Sequence, residues 1–322
     1  MLKNASKLLL FILLVVQIGC TTPKRTATAP PFHAQEGYVD ADHSVRLFYR
    51  LIGSGPDTLI VIHGGPGFTM DYFLDDLSPL AAKHTLLFYD QRGTGRSTLV
   101  SDSISLDAQR FVEDLEAIRK HFNIERLSLL GHSWGSAITA LYSIRYPNHV
   151  EKMIIVGALP LQQYQLTDAF RQLEASRDTS TLRRMRELRE ARIADPGNSD
   201  VCRAYYVLWF EPFFGNHNAA TRSKGDFCAG TFDSRRNKIN SVDRFTMASL
   251  GKWDWRSSLS QVLVPVLVIH GTKDPLPLEG AKAWASVLPN GRLMALEGIG
   301  HFPYLEVPDQ FFEAVNQFLS KK

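Results

Sequence analysis

Three cysteines in 322 residues are too few for a disulfide-stapled scaffold, so the fold has to be built on apolar packing. An excess of one charge is missing too. The chain has 36 basic and 33 acidic residues, a formal net charge of +3, and without Lys3 and Lys7, in a segment expected to be removed, the balance is 34 to 33. Near neutrality with no long basic run leaves no electrostatic footprint for nucleic acid, whose phosphates call for clustered Lys and Arg. No apolar run reaches the roughly 20 residues that cross a bilayer as a helix. His-Glu-x-x-His, paired Cys-x-x-Cys and histidine pairs at zinc-binding spacing are absent, so no metal and no cofactor is expected. Internal repeats are absent as well. What is present, 44% hydrophobic and 21% charged residues, is the composition of a soluble globular protein, and the length allows one large α/β domain with an insertion.

The N-terminus reads as a targeting signal. Met1 to Lys7 carries two lysines and no acid, and Leu8 to Ile18 is apolar apart from Gln17. This is the pattern of a signal peptide over residues 1–19. The ending Ile18-Gly19-Cys20 resembles the lipobox of bacterial lipoproteins, with Gln17 where a leucine-like residue is usual. Cys20 is therefore the expected lipidation site, and the expectation is an exported protein held at the membrane of the bacterial envelope by a lipid anchor. An ordinary cleaved signal, giving a soluble periplasmic or secreted protein, is the alternative. Residues 20–35 are rich in Thr, Ala and Pro and read as a tether of up to roughly 50 Å. Two cysteines remain, Cys202 and Cys228; an oxidising compartment permits a disulfide between them, and two buried free thiols are the other reading.

From about Glu36 the pattern is an opening hairpin, Gly37 to Leu51, then apolar runs alternating with helical stretches. Strands are expected at 58–63, 85–89, 127–130, 152–156, 264–270 and 292–296. Helices are expected at 106–122, 134–146, 279–287 and 309–319. Such alternation implies βαβ units, a mostly parallel central sheet and helices on both faces. A mainly helical insertion, 160–252, interrupts the sheet, so that its two parts are 36–159 and 253–322. In the insertion, Arg183, Arg184, Arg186, Arg189 and Arg192 alternate with Leu182, Met185 and Leu188, which reads as an amphipathic helix with a solvated basic face.

The strand at 127–130 runs directly into Gly131-His132-Ser133-Trp134-Gly135, and a helical pattern follows until Pro147. Strand, tight turn and helix are the setting of a nucleophile elbow, in which flanking glycines give the turn room. A serine hydroxyl is a weak nucleophile at neutral pH and needs an imidazole base, itself oriented by a carboxylate. In this fold the chain order is nucleophile, acid, histidine. Asp274 in Gly271-Thr272-Lys273-Asp274-Pro275 and His301 in Gly298-Ile299-Gly300-His301-Phe302-Pro303 fit that order, each in a loop after a late strand. A plain turn aspartate and a plain loop histidine are the competing readings.

Negative charge developing on a substrate carbonyl needs preorganised N–H donors. Trp134, following Ser133 at a helix start, supplies one. Gly65, in His63-Gly64-Gly65-Pro66-Gly67 after an early strand, supplies the other. Asp90 to Ser97 reads as a brace for the loop carrying Gly65.

Three segments, His63 to Gly67, Asp90-Gln91-Arg92-Gly93-Thr94-Gly95-Arg96-Ser97, and Gly131 to Ser136, together with the Asp274 and His301 loops, resemble the prolyl iminopeptidase family of α/β-hydrolases. The resemblance covers about 36 to 160 and 253 to 320. It implies the α/β-hydrolase fold with a helical cap over 160–252, and a small peptide substrate from which an N-terminal residue, often proline, is released. In that family, cap carboxylates hold the substrate amine. Trp209-Phe210-Glu211 resembles the segment that supplies one, which makes Glu211 a substrate-binding candidate; a surface glutamate is the alternative. The second family segment, of Arg-Ile-Glu-Asn type, is replaced here by Thr221-Arg222-Ser223-Lys224-Gly225-Asp226-Phe227, where Asp226 is the available acid. The expected function is thus a serine aminopeptidase. An esterase, lactonase or other amidase on the same core is the alternative, and a noncatalytic envelope binding protein a third class.

Overall fold

The computed structural model describes residues 34–42 and 44–321; the expected signal peptide, Cys20 and the tether up to residue 33 lie outside the described residues. Eight strands form one sheet: β1 (Ala34–Asp40), β2 (Arg46–Ile52), β3 (Thr58–Ile62), β4 (Thr85–Tyr89), β5 (Leu127–His132), β6 (Val150–Val156), β7 (Val266–Gly271) and β8 (Gly291–Leu296). Their order is β1-β2-β4-β3-β5-β6-β7-β8. The β1–β2 and β2–β4 pairs are antiparallel and all the others parallel. Asp42 closes the opening hairpin by accepting the Ser44 and Val45 amides at 3.1 and 3.0 Å. The first strand begins at Ala34, slightly before the start expected near Glu36.

The central strands are mostly apolar because both of their faces are covered. Side chains alternate across a strand, and the core divides accordingly. Ile60, Ile62, Leu87 and Tyr89 pack on one face with Phe111, Trp134 and Trp284, whereas Leu59, Val61, Leu86 and Phe88 pack on the other with Phe73, Phe302 and Phe311. The helix Trp134–Arg145 is apolar on nearly every side, being buried against the sheet. The helix Ala108–His121 is amphipathic; the Asp107 carboxylate caps its start and Arg119, Lys120 and His121 fill its last turn, both favourable to the helix dipole.

Strand order reverses at β3: the chain goes first to β4 on one side and then to β5 on the other. The crevice beyond the carboxyl ends of β3 and β5 is a topological switch point, the usual binding position in open α/β sheets. The loop after β3 is His63–Gly67, and the residue after β5 is Ser133.

The insertion leaves through a narrow neck. The Gln163 amide donates to Trp253 O at 3.0 Å, the Trp255 amide to Leu161 O at 3.0 Å, and Trp253 Nε1 to Pro160 O at 3.1 Å. Beyond it stand helices Gln163–Ala175, Thr179–Ala194 and Ser199–Phe210, the latter two capped by Asp178 and Asn198. On the second of these, Met185 and Leu188 are buried while Arg183, Arg184, Arg186 and Arg189 are exposed, as a solvated face requires. Arg192 departs from that face: it is half-buried, donates to Tyr206 Oη at 3.1 Å and lies over the Tyr205 ring. Cys202 and Cys228 are disulfide-bonded, joining the helix Ser199–Phe210 to the loop that carries Phe227. No helix among the described residues is long and apolar enough to cross a membrane.

Candidate active site

Ser133 stands between β5 and the helix Trp134–Arg145 with φ 54° and ψ −120°. A left-handed φ is unfavourable for any residue with a Cβ and costs about 1–3 kcal/mol, so surrounding contacts must enforce it. They do so from both sides: the Ser133 amide donates to Val156 O at 2.9 Å, and its carbonyl accepts from the Ser136 amide and Oγ at 2.9 and 2.6 Å. The flanking glycines are a steric requirement. A Cβ on Gly135 would fall 2.2 Å from Ile62 O, and one on Gly131 2.5 Å from Gly135 O. Strand and helix can therefore pack this closely only with glycine at both positions.

His301, in the loop after β8, reaches back across the sheet edge to the carboxyl end of β6, the strand next to β5. A Cβ on Gly157, the residue after β6, would fall 2.7 Å from the His301 ring, and that ring is centred 4.7 Å from that of His132. His301 Nδ1 is 2.7 Å from Asp274 Oδ2, with both residues buried. Burial alone would raise the Asp274 pKa, but the His301 and His270 rings and the Leu276 amide, which donates to Oδ1 at 2.9 Å, outweigh it and hold the carboxyl below its ordinary value. An ionised Asp274 accepts the Nδ1 proton and leaves Nε2 as the basic nitrogen. Among the described residues no hydrogen bond joins Ser133 Oγ to His301 Nε2; such contacts commonly tighten only when substrate binds.

The loop carrying Gly65 passes directly alongside: a Cβ on Gly64 would sit 3.0 Å from Ser133 Cβ. Gly65 is exposed with φ 131°, and a Cβ there would meet the Gly67 amide at 2.7 Å. Trp134, first in its helix, has no intrahelical acceptor for its amide. Gln91 ties the two donor segments together, its Nε2 donating to His63 O at 2.8 Å and its Oε1 accepting from Trp134 Nε1 at 3.0 Å. The carboxylate of Asp90 accepts the Met70 and Arg96 amides at 3.0 and 2.9 Å. The segment thus braces the turn after β3, as its place in the sequence suggests.

A second set of contacts has no sequence signature. The Gly64 amide donates to Tyr72 Oη at 2.8 Å, Tyr72 Oη donates to His132 Nδ1 at 2.6 Å, and His132 Nε2 donates to the His301 carbonyl at 3.1 Å. The chain is self-consistent only if His132 is neutral, and burial depresses its pKa to about 3. It links the loop after β3 to the histidine loop. Phe213 O accepts the His301 amide at 2.7 Å, and Glu306 accepts the Gly300 and Asn216 amides at 2.8 Å each, so the insertion also holds the histidine loop.

Phe68, Tyr206, Phe210, Phe213, Phe227 and Phe302 form an aromatic roof, with Phe213 centred 5.3 Å from His301 and Phe210 4.4 Å from Phe227. The two substrate-binding candidates stand elsewhere. Glu211 has a side chain 59% exposed, 3.5 Å from His217, and Asp226 is exposed with its carboxylate accepting the Cys228 amide at 2.8 Å. They do not form the buried carboxylate pair that the resemblance implies. Both flank aromatic residues that turn inward, and packing those rings puts the acids outside. No three His, Cys, Asp or Glu side chains among the described residues are grouped to hold a metal ion.

The sequence profile of the alpha/beta hydrolase fold family matches residues 57–308. The chain belongs to this family and is an enzyme of the hydrolase class. Within it the chain is proline iminopeptidase-like. It is 26% identical over 302 residues to a proline iminopeptidase of Saccharolobus solfataricus, covering 90% of this chain and 93% of the relative. It is likewise 26% identical over 295 residues to one of Heyndrickxia coagulans, covering 88% and 98%. The crystal structure of a Mycobacterium smegmatis proline iminopeptidase superposes with TM-score 0.66 at 23% identity, over 88% of this chain and 97% of that one. An alpha/beta fold family hydrolase from Bacillus anthracis gives 0.70 at 20%, over 88% and 99%. These structural likenesses concern the fold.

Proposed function

We propose that the protein is a serine hydrolase that works through an acyl-enzyme at Ser133. The observation that carries this reading is the strained Ser133 turn, set beside a buried His301 whose Nδ1 is held 2.7 Å from Asp274. His301 Nε2 takes the Ser133 Oγ proton as Oγ attacks the substrate carbonyl carbon. The resulting oxyanion is met by the Gly65 and Trp134 amides. On collapse, the carbon–nitrogen or carbon–oxygen bond breaks and His301 passes its proton to the leaving amine or alcohol. Water then repeats the sequence on the ester, releasing the acid and restoring Ser133.

The relatives are named proline iminopeptidases, and we propose aminopeptidase action on small peptides as the leading activity. A second reading, cleavage of amides or esters that lack a free amine, is favoured by one feature: Glu211 and Asp226 are both exposed and engaged elsewhere. Comparing prolyl-naphthylamide with its N-acetylated form and with short p-nitrophenyl esters separates the two. The aminopeptidase reading requires at least about a tenfold loss of kcat/KM on blocking the amine, equivalent to about 1.4 kcal/mol of recognition. Equal turnover of both forms would overturn it in favour of the second. Export with lipid attachment at Cys20 remains part of the proposal; a Cys202–Cys228 disulfide supports an oxidising compartment.

A further inference from the structure

We propose that Lys238, on the inserted segment, is a positioning residue for the oxyanion loop. The inference rests on the serine hydrolase reading above. Lys238 is only 9% exposed. A buried ammonium persists only when its charge is compensated and its protons are accepted. Here the compensation comes from two directions. Asp243 lies 2.9 and 3.2 Å from Nζ through its two oxygens, and belongs to the same stretch of helix. Pro66 O, in the loop after β3, accepts from Nζ at 2.8 Å. Nζ also stands 4.2 Å from the centre of the Phe68 ring, on its electron-rich face.

The local backbone is shaped for this contact. Lys238–Val242 is a single π turn between the α-helical stretches Phe232–Asn237 and Asp243–Ser249. Its wider winding brings residues five apart, Lys238 and Asp243, to one side. The pair then fits against a glycine: a Cβ on Gly67, at φ 88°, would fall 2.9 Å from both Asp243 Oδ1 and Lys238 Cγ. A cation needed only by its own helix would be satisfied by Asp243. The additional bond to Pro66 O and the contact with Phe68 are directed at the loop.

The Pro66 carbonyl lies in the Pro66–Gly67 peptide plane, two planes beyond the one that carries the Gly65 amide; holding it anchors the loop there and, through the short Gly65–Pro66 link, restrains the direction of the Gly65 amide. The cap thus takes part in building the oxyanion hole. Removing Lys238 frees the loop to sample orientations in which this donor misses the oxyanion, a loss felt in the transition state rather than in substrate binding.

The test compares wild type, Lys238→Met, Lys238→Arg and Asp243→Asn on p-nitrophenyl acetate, with fluorophosphonate labelling rates and amide hydrogen exchange of the peptide spanning 64–69. Lys238→Met is expected to lower kcat and the labelling rate by about tenfold to a hundredfold, with KM changed less than about threefold. Exchange at 64–69 should accelerate. Arg, which reaches the same acceptors, should restore most of the loss, and Asp243→Asn should fall between. A folded Lys238→Met with wild-type kcat and exchange overturns the proposal. If Lys238→Met does not fold, Asp243→Asn decides: wild-type kcat and exchange in that variant overturn it as well. If wild type itself fails to label at Ser133, the hydrolase reading is what fails, while the exchange comparison still reports on the loop.

Discussion

Two buried histidines near Ser133 are held neutral, and this has a measurable outcome. His63 Nε2 accepts the Gln91 amide at 3.1 Å while Nδ1 faces Gly64 O at 2.9 Å, so the ring is locked as one neutral tautomer. Burial lowers its pKa from 6.5 to about 4, and that of His132 from 6.5 to about 3. In the unfolded chain both rings take up protons near pH 6.5; in the folded chain they do not. Stability therefore falls as pH drops from about 6.5 toward 4, because there the unfolded state binds more protons. Above 6.5 neither ring contributes a slope. Imidazole NMR titration should find two rings still neutral at pH 5, and the unfolding midpoint in urea should decline over the same interval through these two groups. A titration of either ring near 6.5 would contradict the hydrogen-bond chain assigned to it.

At the scale of elements, the roof is held by covalent as well as noncovalent links. The Cys202–Cys228 bridge joins the helix carrying Tyr206 and Phe210 to the loop carrying Phe227. That loop is fastened to the core at Asp76, whose carboxylate accepts the Lys224 amide and Ser223 Oγ, each at 2.9 Å. Replacing both cysteines with serine is expected to lower unfolding stability by about 3 kcal/mol, measured in denaturant under non-reducing conditions. A double variant as stable as wild type would mean that the noncovalent fastening suffices alone. The sequence left both the bridge and two free thiols open, because cysteine spacing says nothing about which loops fold back onto which helices. Strands and elbow were legible for the opposite reason. β3, β5, β6 and β7 each hold an apolar run, at 59–62, 129–130, 153–156 and 266–269, and Gly131 and Gly135 flank Ser133 in a turn where a side chain would collide with backbone.

For the molecule as a whole, the sheet brings distant loops to one edge and the insertion fastens them there. Ser133, Asp274 and His301 could be located from the chain because each follows a strand whose position in the parallel order is fixed. The contacts from the insertion could not. Lys238 meets Pro66 across 172 positions, and Glu306 joins Gly300 to Asn216 across the boundary between core and insertion. Such pairings join single side chains to the backbone of loops distant in sequence, which leaves no periodic trace. Glu211 and Asp226 illustrate the reverse case, in which a local resemblance is present but packing of Phe210 and Phe227 inward leaves the acids at the surface. The central claim is that the reacting atom is Ser133 Oγ. Its most direct test is reaction of the purified protein with a fluorophosphonate, followed by peptide mass analysis and by the same experiment on Ser133→Ala. The account predicts one adduct, on the peptide containing Ser133, with labelling and hydrolysis both lost in the variant. Labelling at another residue, or hydrolysis that survives in Ser133→Ala at the wild-type rate, would contradict it.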